Sequence, residues 1–268
     1  MPRIIPVEDP ADPRLAAFRD IRERDLVGRE RRFIAEGEVV LRVLLTRARH
    51  AAEAVLIADK RIEGLSDMLG LLDNRTPVYS AAQPVMDAIA GFHIHRGILS
   101  VGRRAADPPA ADLLKGLGER ALVLGLFGIA NHDNMGGLLR NAAAFGVDAV
   151  ILDSDCCDPL YRKAIRVSVG EALVVPFARL SPGEDALELL DRFGMEAIAL
   201  SPSAALPLGR LIRPRKAALL LGAEGPGLPH ALLERARAVS IPMAAGLDSL
   251  NVATASGIAL HHLAFSGH

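Results

Sequence analysis

The sequence predicts an α/β protein in two parts: a parallel sheet covered by helices on both faces, preceded by a smaller α/β domain. Three observations predict it. The 268 residues are half apolar, enough to bury the core of one large domain or two ordinary ones. From residue 119 onward, apolar runs of strand length alternate with helix-periodic segments, the pattern of a sheet whose strands run one way. Between the halves lies RRAADPPAADLLKGLG, Arg103–Gly118, where Asp107-Pro108-Pro109 stiffens the chain because the residue before a proline is pushed out of the helical region. The expected parts are therefore 1–104, a linker over 105–118, and 119–268.

In the first part, Asp12–Asp25 reads as a charged amphipathic helix, and Glu36–Arg49 as a second one with Val39, Val40, Val43 and Leu44 on one face. A strand follows at Ala54–Ala58, a helix at Arg61–Leu72, a strand at Val78–Tyr79, a helix at Ala81–Ala90 and a strand at Gly97–Val101. Arg29, Arg31 and Arg32 are expected in the turn between the first two helices, either as a solvated loop or as a phosphate contact. In the second part, strands are expected at Ala121–Leu126, Ala149–Leu152, Ala197–Leu200, Ala217–Leu221 and Ala238–Ile241. Helices are expected at Met135–Phe145, Tyr161–Ser168, Glu184–Phe193, Pro229–Arg235 and Leu250–Phe265.

Composition excludes several classes. Two adjacent cysteines, Cys156 and Cys157, cannot staple a secreted fold or complete a four-cysteine zinc site, so a reducing cytoplasm is expected, and no metal. The opening MPRIIPVEDPADPR lacks an apolar stretch of signal-peptide type, and the longest strongly apolar run, Ala121–Ala130, is far short of a membrane span. Aromatics at 4% are too few for the stacked-ring platforms of many single-strand RNA binders. The net charge of −1 argues against a protein that coats nucleic acid, yet residues 1–104 hold 17 basic against 15 acidic side chains while the remainder hold 14 against 17. A local contact with nucleic acid therefore remains open, on the first part.

In parallel sheets ligands sit beyond the carboxyl ends of the strands, and three such ends carry unusual sequence. After the first comes GIANHDNMGGLLRNAAAFG, with Asn131, Asp133 and Asn134 as cap-type residues and Arg140 in an otherwise small, apolar helix. That arginine reads either as a surface residue or as one that needs a partner in the crevice. After Leu221 comes a glycine loop, Gly222, Gly225 and Gly227, whose one charge is Glu224. It lacks the lysine and hydroxyl of a triphosphate cradle, and its carboxylate would repel phosphate, so it suits a cationic ligand or one read through backbone groups. No GxGxxG follows the first strand, which argues against an ordinary dinucleotide enzyme. After Ile241, a loop leads through Asp248, Ser249 and Asn251 into a long apolar helix, and helix capping alone accounts for such residues.

Together these segments resemble the SpoU/TrmH family of RNA ribose 2′-O-methyltransferases. The resemblance rests on Asn134-x-Gly136-x-x-x-Arg140, then Gly222-x-Glu224-Gly225-x-Gly227-Leu228, then Ile241-Pro242-Met243 with Ser249-Leu250-Asn251-Val252, across about residues 120–265. The stretch Arg32-Phe33-Ile34-Ala35-Glu36-Gly37 more loosely resembles the family's RNA-binding domain of ribosomal-protein type. The resemblance implies a trefoil knot near the C-terminus, a homodimer through the second domain, S-adenosylmethionine as methyl donor and structured RNA, ribosomal or transfer, as substrate. By the same resemblance Gly222, Glu224, Gly225, Ile241, Met243 and Leu250 would hold the donor. Arg140 would sit at the target 2′-oxygen, with Asn134, Glu224, Ser249 and Asn251 positioning the reacting groups. Two departures stand out: Ala245 where the family has glycine, with Gly246 one place later, and Ala253 where a small hydroxyl residue is usual. The competing readings are a binding protein of the same fold without catalysis and a different α/β transferase that uses a nucleotide.

Overall fold

The computed structural model describes residues 2–19, 23–91, 93–94, 96–244 and 249–266. In chain order its elements are β1 (Ile4–Pro6), α1 (Glu23–Gly28), β2 (Arg32–Glu36), α2 (Glu38–Thr46), β3 (Ala51–Ala58), α3 (Ser66–Leu69), β4 (Val78–Ala81), α4 (Gln83–Ala90) and β5 (Ile98–Arg103). There follow α5 (Ala110–Lys115), β6 (Ala121–Phe127), α6 (His132–Ala144), β7 (Ala149–Leu152), α7 (Arg162–Val167), β8 (Phe177–Arg179) and α8 (Ala186–Arg192). The chain ends with β9 (Glu196–Leu200), β10 (Lys216–Gly222), α9 (His230–Arg235), β11 (Arg237–Val239) and α10 (Val252–Phe265). These elements form two compact units, Met1–Ala106 with Asp158–Val174, and Asp107–Cys157 with Val175–His268.

The first unit holds a five-stranded mixed sheet in the order β1-β4-β3-β5-β2, with β1, β4 and β3 parallel and β5 antiparallel to both β3 and β2. Alternation along β3 builds a core on each face. Leu56 and Ala58 join Met86, Ile89 and Phe18 in one cluster, and Val55 and Ile57 join Leu41, Leu65 and Met68 in the other. Asp158–Val174 is held to this unit by three ion pairs: Arg104–Asp158 at 2.6 Å, Arg162–Glu36 at 3.0 Å and Arg47–Glu171 at 2.8 Å. The helix expected at Tyr161–Ser168 is thus present as α7, but it packs with the first unit.

Other differences from the sequence reading have local causes. Asp12–Asp25 is not one helix: a 3-10 turn at Pro13–Phe18 ends where Arg19 turns extended, and α1 begins at Glu23. Arg61–Leu72 is cut into short turns with α3 as its one α-helical piece, in a stretch containing Gly64 and Gly70. The linker contains α5, whose Ala110 and Leu114 are buried in the second unit's core. β1, β2 and β8 are three to five residues long, too short to show a period.

The second unit is a six-stranded, wholly parallel sheet in the order β11-β9-β10-β6-β7-β8. Its centre is fully apolar because both faces are covered: every residue of β6 is buried. Ala121, Val123 and Phe127 meet α5 and α8 on one face, while α10 packs against β10 and α6. Among the described residues no helix is long and apolar enough to cross a membrane.

Candidate functional site

The site is assembled at the carboxyl ends of β9, β10 and β11. There a cavity of about 480 Å³ is lined by Leu200, Ser201 and Pro202 after β9, by residues 221–225 with Gly227 and Leu228 after β10, and by Ile241, Met243 and Ser249–Val252 with Ala255. All six residues expected to hold a cofactor, Gly222, Glu224, Gly225, Ile241, Met243 and Leu250, line it. Among the described lining residues Glu224 is the one ionisable side chain. The end of the strand closing at Leu200 is one of those the sequence marks for ligands, but it offers no distinctive residue there, and Ser201 and Pro202 join the wall only in the structure.

The glycine loop is built by close backbone approach. Gly225 and Gly227 take positive φ (+89° and +71°), and the Gly227 N–H donates to the Ala223 carbonyl at 3.0 Å. The loop thereby folds back over Gly222, where a Cβ would stand 2.1 Å from the Gly227 carbonyl carbon and 2.2 Å from the Leu228 nitrogen. Only a residue without a side chain fits there.

Three sequence motifs meet in one hydrogen-bond chain. Asn251 caps α10, its Oδ1 accepting from the N–H groups of Ala253 (2.9 Å) and Thr254 (3.3 Å). Its Nδ2 donates to Glu224 Oε1 at 2.7 Å and to Asn134 Oδ1 at 2.9 Å. Asn134 is buried in the first turn of α6, capped by Asn131. Ser249 is exposed in the cavity wall and makes no hydrogen bond among the described residues, so α10 is capped by Asn251 alone.

Arg140 is placed differently. Six residues after Asn134 on the same helix, it is rotated by roughly 120° and raised by about 9 Å. Asn134 accordingly points inward, while Arg140 is exposed, outside the cavity wall and without a hydrogen bond or ion pair among the described residues. The expectation that this arginine needs a partner in an apolar setting therefore does not hold: its guanidinium is on the solvent side of α6. Ala253 stands where α6 and α10 touch, for a Cβ on Gly137 would lie 2.8 Å from the Ala253 Cβ. The loop departures at Ala245 and Gly246, and Asp248, lie outside the described residues.

The start of α6 is held from below by the cysteine loop. The Asp153 carboxylate accepts from the Gly128 N–H at 2.9 Å, and Cys156 Sγ accepts from the Ile129 N–H and donates to the Leu126 carbonyl, both at 3.3 Å. Burial, with Asp153 nearby, pushes the Cys156 thiol well up, so it stays protonated and inert. Of the basic cluster in the first unit, Arg32 is on β2 rather than in a turn. It pairs with Glu53 and, at 3.3 Å, with Glu30, and the hydrogen bond to Glu53 raises its pKa further. Arg31, at φ +53°, donates to the Ala105 carbonyl at 2.8 Å, and both it and Arg29 are exposed. Among the described residues no group of three or more His, Cys, Asp or Glu is arranged to hold a metal.

A parallel α/β unit with a cavity and a polar chain at its strand ends defines a protein that binds a small molecule. Comparison with known proteins narrows it. Residues 121–261 match the SpoU rRNA Methylase family. The chain is 40% identical over 269 residues to an uncharacterized tRNA/rRNA methyltransferase of Mycobacterium bovis, covering 97% of this chain and 91% of that one. It is 30% identical to the 23S rRNA (guanosine-2′-O-)-methyltransferase RlmB of Escherichia coli, covering 82% of this chain and 93% of that protein. The fold matches an AdoMet-bound rRNA methyltransferase from Sinorhizobium meliloti with a TM-score of 0.80 at 22% identity, over 97% of both chains. The chain belongs to the SpoU rRNA methylase family.

Proposed function

We propose that this chain transfers the methyl group of S-adenosylmethionine to a ribose 2′-hydroxyl of structured RNA, ribosomal or transfer. The observation that carries the reading is the cavity whose one charge among the described residues, Glu224, is tied through Asn251 to Asn134. The donor fits these residues on three counts. About 480 Å³ is within the range of small-molecule pockets. The loop folded over Gly222 lines the cavity with its backbone, and Glu224, the one charge among the described lining residues, suits a sulfonium where it would repel phosphate.

When bound, S-adenosylmethionine supplies an electrophilic methyl carbon: its sulfur–carbon bond breaks as the bond to the 2′-oxygen forms, and the hydroxyl proton leaves to phosphate or water. The chain's own residues orient and stabilise. Backbone groups at Gly222, Ile241 and Leu250 hold the adenosyl part, while Glu224, Ser249 and Asn251 fix the reacting end. Arg140 stabilises the negative charge that develops on the 2′-oxygen and pairs with the adjacent RNA phosphate, since a guanidinium does not readily give up its proton to act as a base. Orientation of this kind can supply much of the rate.

The first unit docks RNA, with Arg29 and Arg31 as exposed phosphate contacts and Arg32 kept for the sheet edge. The C-terminal segment is threaded as a trefoil knot. Two copies associate through α10, whose Ile258 and Phe265 are 42% and 57% exposed and form an apolar face. The protein works in the cytoplasm, in keeping with its free cysteines. Calorimetry tests the core of the proposal: binding of S-adenosylhomocysteine is expected, and its absence alongside binding of ATP or NAD would overturn it. The role of Arg140 is tested separately by Arg140→Lys. Measurable methyl transfer is expected, and near-total loss with intact S-adenosylhomocysteine binding would count against a cation-only role.

A further inference from the structure

α6 and α10 advance side by side in the same direction. Gly137 meets Ala253, Asn141 meets Ser256, and Phe145 meets His261 with ring centroids 5.8 Å apart. One polar link crosses this contact beyond the Asn134–Asn251 bond. Asn141 Nδ2 donates to the Ala253 carbonyl at 2.7 Å and to Ser256 Oγ at 2.8 Å, and Ser256, fully buried, donates to the same carbonyl at 2.7 Å. Asn141 immediately follows Arg140 in the chain, and Ala253 is two residues after the cap Asn251. The link therefore joins the turn that carries Arg140 to the turn that carries the Asn251–Glu224 bond.

We propose that Asn141 is a positioning residue for methyl transfer, fixing the height and rotation of Arg140 relative to the Asn251–Glu224 pair. The inference rests on the proposed 2′-O-methyltransferase activity and names a residue outside that site. Without the Asn141 donor, the packing between Gly137 and Ala253 still holds the helices together, because that contact is apolar and close. What is lost is the directional link nearest Arg140, so that beyond the Asn134–Asn251 bond nothing polar among the described residues stops α6 rolling along α10 there. Misplacement of a reacting group by about 1 Å can cost on the order of a hundredfold in rate. The cofactor cavity, whose wall includes neither Asn141 nor Ser256, is left as it was.

The test uses the full chain, labelled S-adenosylmethionine and RNA extracted from a strain lacking this gene. Asn141→Ala is expected to lower kcat by about ten- to a hundredfold, leaving KM for RNA and the affinity for S-adenosylhomocysteine within about twofold. Asn141→Asp has the same shape but offers no donor, and it should be at least as slow. Ser256→Ala removes one end of the link and should give a smaller fall in kcat, and the double variant should be no slower than Asn141→Ala. Near wild-type kcat in Asn141→Asp would overturn the inference, as would a loss of S-adenosylhomocysteine affinity in step with kcat. So would a double variant whose loss is the product of the two single losses. Should the Asn141 variants fail to fold, Ser256→Ala alone decides, by whether kcat falls with cofactor affinity unchanged. A wild-type protein that neither methylates this RNA nor binds S-adenosylhomocysteine would instead refute the proposed function.

Discussion

Gly222→Ala is the most direct probe of the cofactor loop. The added methyl would stand 2.1–2.3 Å from three backbone atoms of Gly227 and Leu228. Ordinary contact needs more than 3 Å, so the Gly227–Leu228 peptide must retreat by about 1 Å in a close-packed surround. Backbone cannot rotate away as a side-chain tip can, so the whole Ala223–Gly227 turn opens and carries Glu224 with it. The 2.7 Å bond from Asn251 to Glu224 does not survive such a shift. Overpacking of this size costs about 1–3 kcal/mol, which returns as a binding penalty when the loop must close on a ligand. At about 1.4 kcal/mol per decade, S-adenosylhomocysteine should bind roughly five- to a hundredfold more weakly. Calorimetry reads the affinity and thermal melting reports whether the fold is kept. Gly209→Ala, where an added methyl meets nothing, is the control. An affinity for Gly222→Ala within twofold of wild type would refute the reasoning.

Three further outcomes are expected. Gly137→Ala gains about 1 kcal/mol of helix propensity but presses a methyl to 2.8 Å from Ala253, so urea unfolding should show a net loss of about 1 kcal/mol; an unchanged midpoint would mean the helices part freely. Asp158→Asn takes the negative charge from beside Arg104, whose side chain is 7% exposed, and should destabilise the first unit by about 1–3 kcal/mol in denaturant melts; no loss would mean that an uncharged acceptor serves the guanidinium as well. Asp87 is held down to about 2 by the Ile94 N–H and by His93, so the stability it lends is fully present above the ordinary carboxylate value and is lost as pH falls through about 2. Carboxyl chemical shifts followed through acid should place its titration there, and a midpoint near 4 would show those bonds absent in solution.

The second unit was largely legible in sequence and the first much less so, for one physical reason. Strands such as Ala217–Leu221 are buried on both faces and read as unbroken apolar runs, and helices such as α6 are long enough to show a cap and a period. In the first unit, β2 is five residues with charge at both ends, and its strand character comes from pairing with β5, whose partner residues lie 63 to 71 positions away in the chain. Segment Asp158–Val174 could not be assigned to the first unit from sequence, because the ion pairs that hold it there join residues more than 50 apart. In the site, residue types and strand ends pointed to the right loops. They did not reveal that Arg140 stands on the solvent side of α6, because six-residue spacing fixes a rotation of about 120° and leaves open which face is inward.

Asn251 shows why capping and function were never competing explanations. An asparagine side chain has two chemically distinct ends, one accepting and one donating. Its Oδ1 takes the two free N–H groups at the start of α10, which a serine or aspartate could also do. Its Nδ2 simultaneously reaches Glu224 and Asn134, which neither of those residues could do, having no second donor to spare. Asn251→Asp separates the two roles: the cap is preserved or strengthened, while the donor is replaced by a charge facing Glu224. The melting temperature should stay close to wild type, and S-adenosylhomocysteine affinity should fall by about tenfold or more, since the loop carboxylate loses a bond to an uncharged donor and gains a like charge. Parallel losses of stability and affinity would mean that the cap is all the side chain contributes. Unchanged affinity would mean that Glu224 is held by the glycine turn alone.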